Sequence, residues 1–180
     1  MKRITLCWRM LEPFEEILSA KENAQNLVYM LADIDQTVTT AESCTGGLVS
    51  AAIVSVAGAS AVFGNGFITY CDEAKHRLLG VSEETLDVHT AVSAEVAAEM
   101  AYGCAVAGQA DLALAVTGLA GPDGGTEEKP VGLVYIGCYL KGKTVVREFR
   151  MRGNRDKIRE QAVVQALDLL RRQLITDMGE

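Results

Sequence analysis

The stretch Thr39-Thr40-Ala41-Glu42-Ser43-Cys44-Thr45-Gly46-Gly47 sets a carboxylate, two hydroxyls, a thiol and two glycines side by side. A β-prone run, Thr37 to Thr40, leads into it, and a run of small apolar residues with helical character, Leu48 to Val56, leads out. A strand-to-helix turn of this kind turns backbone N–H groups outward, because the first turn of a helix has no internal acceptors for them. Such a turn can hold an anion, or the oxyanion that develops during acyl transfer. It can also present a nucleophile, and Ser43 and Cys44 are the candidates. On position alone Ser43 reads better as a helix N-cap. As a thiol, Cys44 ionises more readily than a hydroxyl at a helix N-terminus, which keeps it as a rival.

A serine becomes a nucleophile only with a base beside it. The sequence around Ser43 has neither G-x-S-x-G nor S-x-x-K, so the hydrolase elbow and the penicillin-binding pattern do not apply. His76 and His89, the two histidines, sit in polar segments and could serve as a base or lie on the surface. A lysine is the other route, provided burial lowers its pKa so that a neutral amine can take the proton. Lys75 lies among Cys71, Ala74 and Leu78 and is a candidate, although most lysines are exposed. Tyr70, five residues earlier, ends an extended run, and its hydroxyl could relay or orient.

Two further segments could complete a site. Thr117-Gly118-Leu119-Ala120-Gly121-Pro122-Asp123-Gly124-Gly125 follows an apolar run with glycines that permit close backbone approach. Its alternative reading is an ordinary surface connection. Arg152-Gly153-Asn154-Arg155 precedes the final helical pattern, and either arginine could pair with a phosphate or carboxylate or simply belong to a solvated cap.

The elements that must position these residues are legible from periodicity. Phe14, Ile17, Leu18, Leu27, Val28 and Leu31 recur at helical spacing after Pro13, predicting a helix with Glu15 and Glu16 in its first turn. Leu48 to Val56 predicts a buried helix stopped near Gly58. Ala61 to Tyr70 predicts two short extended pieces around a turn or bulge at Gly64-Asn65-Gly66. Asp72 is expected to cap a short helix, Glu73 to Leu79, that Gly80 ends. Ser82 begins another helical piece, and Ser93 caps a longer one with an apolar stripe of Val96, Ala97, Met100, Ala101 and Cys104. Asp111 to Thr117 reads as a strand covered on both faces. Gly118 to Pro130 is a long loop of the kind that carries function. Val131 to Leu140 and Thr144 to Met151 predict an antiparallel hairpin, and Asp156 to Leu174 a closing amphipathic helix. Helices alternating with strands and one hairpin predict an α/β fold, a three-layer α/β/α single domain with a mixed β-sheet.

Composition narrows the function classes. A chain of 180 residues, 49% hydrophobic and 23% charged, is large enough for one packed core. A net charge of -7 argues against non-specific nucleic-acid binding and against an anionic membrane surface. It leaves room for an anionic substrate held by a local cation. The five cysteines, Cys7, Cys44, Cys71, Cys104 and Cys138, form no C-x-x-C pair, and no metal-ligand spacing is visible. Four of them lie beside apolar or small residues and are expected to be buried as small hydrophobes in a reducing compartment. The basic N-terminus lacks an apolar run long enough for a signal peptide, and no segment reads as membrane-spanning, so the expected location is cytoplasmic.

Taken together, four ordered segments are similar to one family. They are Ala41 to Gly47, Gly66-Phe67-Ile68-Thr69-Tyr70 with Glu73-Ala74-Lys75, Thr117 to Gly125, and Lys129-Pro130-Val131-Gly132. They resemble the C-terminal domain of the competence/damage-inducible protein CinA, which also occurs alone as the nicotinamide-nucleotide amidase PncC. The resemblance runs from about Thr37 to Leu174 and implies a domain spanning 13–180 behind an N-terminal extension of residues 1–12. It implies hydrolysis of the carboxamide of nicotinamide mononucleotide to nicotinate mononucleotide and ammonia, with no cofactor and no metal. The family's nucleophile falls on Ser43, its lysine on Lys75 and its assisting tyrosine on Tyr70. Substrate is expected near Thr45, Gly46, Gly47, Thr117 and Gly118, with Arg155 as a further binding residue. The sequence does not match the nucleotide-binding-like N-terminal domain of full-length CinA, so none of that domain's pyrophosphatase activity is expected here. The implied partner is a small molecule, and apolar helix faces favour a homo-oligomer. Two other readings stand beside this one: a non-catalytic nucleotide-binding module, and a Ser/Lys amidase or esterase acting on another substrate.

Overall fold

The computed structural model describes residues 18–179; the extension of residues 1–12, the Pro13 start of the first helix and Cys7 lie outside them. Helix α1, Ala20–Asp33, starts at an N-cap, Ser19, whose hydroxyl accepts from the Glu22 amide while the Glu22 carboxylate accepts from the Ser19 amide. This reciprocal cap explains why the described helix starts at Ala20 and leaves Leu18 outside it.

The remaining order is β1 (Val38–Glu42), α2 (Leu48–Val54), a single 3₁₀ turn (Ala59–Ala61), β2 (Phe63–Ile68), α3 (Asp72–Leu79) and α4 (Glu83–His89). Then come α5 (Ala94–Gly108), β3 (Leu112–Gly118), β4 (Leu133–Leu140), β5 (Lys143–Arg150) and α6 (Arg155–Gly179). The sheet runs β2-β1-β3-β4-β5, with β1 parallel to both β2 and β3, and antiparallel pairing from β3 through β5. Lys141 and Gly142, both at positive φ, link β4 to β5 in a two-residue turn.

Strand β3 shows how the sheet feeds two cores. Its Leu112, Leu114 and Val116 face the layer of α1, α2 and α6, whereas Ala113 and Ala115 face α3, α4 and α5. The small side chains on the second face let α5 approach closely: a Cβ on Gly137 of β4 would sit 2.4 Å from the Ala97 carbonyl oxygen. The expected stripe of α5 is fully buried, from Val96 to Cys104. The architecture is therefore the expected three-layer α/β/α domain with a mixed sheet.

Local structure departs from the sequence-based expectations in three places. Gly64-Asn65-Gly66 is not a turn, because β2 runs unbroken through it. A Cβ on Gly66 would lie 2.6 Å from Thr40 Oγ1 and 2.8 Å from Ser50 Oγ, so the glycine answers to close packing, not to a reversal. Helix α2 stops at Val54 and is only half-buried, with Val49 and Ile53 inward and Leu48 and Val54 exposed. Cys71, not Asp72, is the N-cap of α3, and Asp72 is its first residue. Cys71 is also exposed, while Cys44, Cys104 and Cys138 are buried. Among the described residues, no helix is long and apolar enough to cross a membrane.

Candidate active site

The carboxyl ends of the parallel strands β1, β2 and β3 come out at one edge of the sheet. The antiparallel pairing of β4 and β5 returns Arg150 to that same edge, opposite Leu133, so α6 begins there. Loops after three strands and the first residue of α6 thus surround one cleft of about 250 Å³. Its walls include Ser43 and Cys44 after β1, Tyr70, Asp72 and Lys75 after β2, Thr117 to Gly121 with Asp123 after β3, and Arg155.

Lys75 is 1% exposed, deep beneath α3. Its Nζ donates to the Thr69 carbonyl at 3.0 Å and to Ser43 Oγ at 3.5 Å, with Asp72 Oδ1 3.8 Å away. Burial holds the Lys75 ammonium below the ordinary lysine range, and the opposing pull of Asp72, Cys71 and Cys44 is weaker. Desolvation thus favours the neutral amine that a serine proton requires. The opposite holds for Cys44, whose thiol burial pushes up to about 11. A thiol so rarely ionised is a poor nucleophile, which removes the main ground for preferring Cys44. The histidines are elsewhere: His76 Nδ1 meets the Val81 carbonyl, His89 lies near Glu95, and neither lines the cleft.

Tyr70 is 60% exposed at the rim, and its hydroxyl accepts from Arg155 Nη2 at 2.8 Å. Arg155 Nη1 donates to the Gly121 carbonyl at 2.7 Å. The two residues predicted for different tasks therefore form one unit that ties α6 to the loop after β3. Of the two arginines weighed, Arg155 lines the cleft; Arg152 is exposed, and its carbonyl accepts from Gln161. Thr117 and Gly118 are wall residues, with Thr117 Oγ1 bonded to the Ala91 carbonyl.

Thr45, Gly46 and Gly47 sit behind Ser43 and are not among the cleft-lining residues. Thr45 is fully buried, Gly46 and Gly47 take positive φ, and the Gly47 amide is already engaged. What engages it is Glu42, a residue quoted in the motif but given no role from sequence. Its buried carboxylate accepts from the amides of Gly47, Val49 and Ser50 and from the Ser50 hydroxyl, at 2.6–3.0 Å. The N-terminus of α2 is thereby filled by the chain's own carboxylate and is closed to an external anion. The Ser43 amide donates to Val116 and that of Gly46 to Ser43, so that among the described residues Cys44 and Thr45 are the turn amides that donate to no other residue; the Cys44 amide faces its own thiol. Arg159 was also missed. Its Nε and Nη2 donate to the Cys44 and Thr45 carbonyls at 3.1 and 2.9 Å. The available signal was its spacing of four from Arg155, which puts both on one face of α6. Among the described residues, no cluster of His, Cys, Asp or Glu could hold a metal ion.

The fold and the cleft define an α/β/α domain with a buried lysine facing a serine at the carboxyl edge of a mixed sheet. The chain belongs to the CinA C-terminal domain family, whose model matches residues 20–174. It is 53% identical over 149 residues to a CinA-like protein of Kosmotoga olearia, covering 83% of this chain and 36% of that one. The chain thus spans about a third of the length of that curated relative. Among solved structures it is similar to the competence/damage inducible protein CihA from Agrobacterium tumefaciens, with 42% identity and a TM-score of 0.83 over 87% of this chain and 95% of that one. A CinA superfamily protein from Enterobacter cloacae gives a TM-score of 0.85 at 35% identity, covering 89% and 95% of the two chains.

Proposed function

We propose that the chain is a nicotinamide-nucleotide amidase that hydrolyses nicotinamide mononucleotide to nicotinate mononucleotide and ammonia, as the family resemblance implies. The observation that carries this reading is the buried, neutral-leaning Lys75 amine 3.5 Å from Ser43 Oγ in an open cleft. That separation is at the outer limit of a hydrogen bond and tightens when substrate closes the site. Ser43 Oγ attacks the carboxamide carbon as its proton passes to Lys75. The tetrahedral oxyanion takes a hydrogen bond from the Thr45 amide, a turn donor that Glu42 does not engage, with the Cys44 amide, which faces its own thiol, beside it. Lys75 returns the proton to the leaving nitrogen, the C–N bond breaks and ammonia departs. Water, deprotonated by the same amine, then attacks the acyl carbon and releases the carboxylate and Ser43.

Arg155 fixes the substrate phosphate, and Tyr70 orients Arg155 through their 2.8 Å hydrogen bond, a positioning task in place of a proton relay. The protein works in the cytoplasm, where free thiols such as exposed Cys71 persist. It works as a homo-oligomer, for which Tyr102 and Val106, exposed one turn apart on α5, offer apolar surface. Purified protein incubated with nicotinamide mononucleotide should release ammonia and nicotinate mononucleotide in equal amounts. Thermal stabilisation by the nucleotide without ammonia would instead indicate a binding module, and ammonia from another carboxamide alone would indicate a different amidase.

A further inference from the structure

We propose that Arg159 is a positioning residue for the reaction, acting through the backbone of the Ser43 turn; this rests on the amidase reading above. The turn is gripped from two sides. Glu42 holds the amides at its helical end, and Arg159 holds two successive carbonyls, Cys44 O at 3.1 Å and Thr45 O at 2.9 Å. In a trans peptide the C=O and the following N–H point in opposite directions. The grip on Cys44 O therefore fixes the Thr45 N–H on the side away from Arg159. The grip on Thr45 O likewise fixes the Gly46 N–H, which donates to Ser43 O at 3.1 Å. That bond in turn sets the peptide carrying the Cys44 N–H.

Every carbonyl from Ser43 to Thr45 is thus engaged, Thr45 O also by the Leu48 amide, so the amide whose direction follows from Arg159 is that of Thr45. The guanidinium is half-buried, its Nη2 would be 3.6 Å from a Cβ on Gly46, and Asp156 lies 4.0 Å from its Nη1. It does not line the cleft and so does not touch substrate. Without it, the Cys44 carbonyl loses its donor while Thr45 O keeps the Leu48 amide at 3.4 Å, and the Cys44–Thr45 peptide is free to rotate, which misdirects an oxyanion donor while leaving Ser43 and Lys75 in place. A misdirected donor acts on the transition state and not on substrate binding, and removing one such donor lowers kcat by about 10²–10³-fold.

The test compares wild type, Arg159→Ala, Arg159→Lys and, as a charge control on the same helix, Lys157→Ala. Ammonia release from nicotinamide mononucleotide is measured for each, together with the rate at which phenylmethylsulfonyl fluoride sulfonylates Ser43. In that reaction Ser43 Oγ bonds to sulfur, fluoride leaves and Lys75 takes the proton. Arg159→Ala should lower kcat by about 10²-fold with KM changed less than about threefold. Sulfonylation should slow in parallel, and added guanidinium ion should restore part of both rates. Arg159→Lys should fall between Arg159→Ala and wild type, and Lys157→Ala should match wild type. An Arg159→Ala enzyme with unchanged kcat, or one whose loss lies in KM, overturns the proposal. So does a loss that neither guanidinium nor Arg159→Lys relieves, since that marks a role in folding alone. A wild type that neither releases ammonia nor reacts at Ser43 overturns the amidase reading instead, and is told apart because wild type itself is then inert.

Discussion

Ser43 and Lys75 look ordinary one at a time, a cap residue and a surface lysine; their chemistry comes from what surrounds them. Burial lowers the Lys75 pKa from the ordinary 10.5 against the raising effect of Asp72. The proposed base must be neutral, so kcat/KM should rise with pH to a plateau whose midpoint lies below the ordinary lysine value, as a pH–rate profile would show. The linkage has a definite sign. Between the lowered folded pKa and 10.5 the unfolded chain binds more protons than the folded one, so stability increases as pH rises through that window. Below it the buried charge remains a standing cost. Lys75→Met removes that cost, so its melting temperature at neutral pH should equal or exceed wild type while ammonia release falls by about 10²–10⁴-fold. A clearly less stable Lys75→Met would mean that the bonds to Thr69 and Ser43 outweigh desolvation. Arg155→Ala should raise KM for nicotinamide mononucleotide by about 10–100-fold with a smaller effect on kcat, as expected for a lost charge-assisted phosphate contact.

The elements were largely legible because their signals are local: Ser82 as a helix start, Ser93 as a cap, Gly80 as a terminator, and the stripe of α5. What was misread depended on distant neighbours. Gly64-Asn65-Gly66 has turn composition, yet Gly66 is small because Thr40 and Ser50 crowd it across the β1 pairing and α2. Glu42 has no role assigned in its motif, and only the arrival of α2 shows that it caps that helix. Glu42→Ala would leave three amides and a hydroxyl without their acceptor, so it should destabilise the protein by about 3 kcal/mol or more in urea unfolding. The contact that places α3 is similarly invisible in sequence. A Cβ on Gly103 of α5 would fall 1.7 Å from the Leu79 carbonyl oxygen at the end of α3. Gly103→Ala should therefore push away the helix that carries Lys75, lowering stability by about 1–3 kcal/mol and kcat together. Full activity in that variant would show that the spacing of α3 and α5 is not what sets the Lys75 position.

Across the whole molecule, the site is a product of topology. Residues 43, 75, 117 and 155 are scattered along the chain, but parallel β1, β2 and β3 and the returning β5 deliver all of them to one edge. The family resemblance pairs Ser43 with Lys75 on sequence motifs alone, and their approach at 3.5 Å agrees with that pairing. It does not assign Arg159, which reaches back more than a hundred residues to two backbone carbonyls, because such a bond needs no particular side chain at its other end. Nor does it reveal the hydrogen bond that Tyr70 accepts from Arg155, since a hydroxyl that orients an arginine and one that relays a proton look alike in sequence. The proposed chemistry stands on Ser43 as the nucleophile of a carboxamide hydrolysis. The most direct test is ammonia release from nicotinamide mononucleotide by wild type and Ser43→Ala side by side, with matched melting curves. Release by wild type and none above background from a fully folded Ser43→Ala is the predicted result; equal release by the two would contradict it.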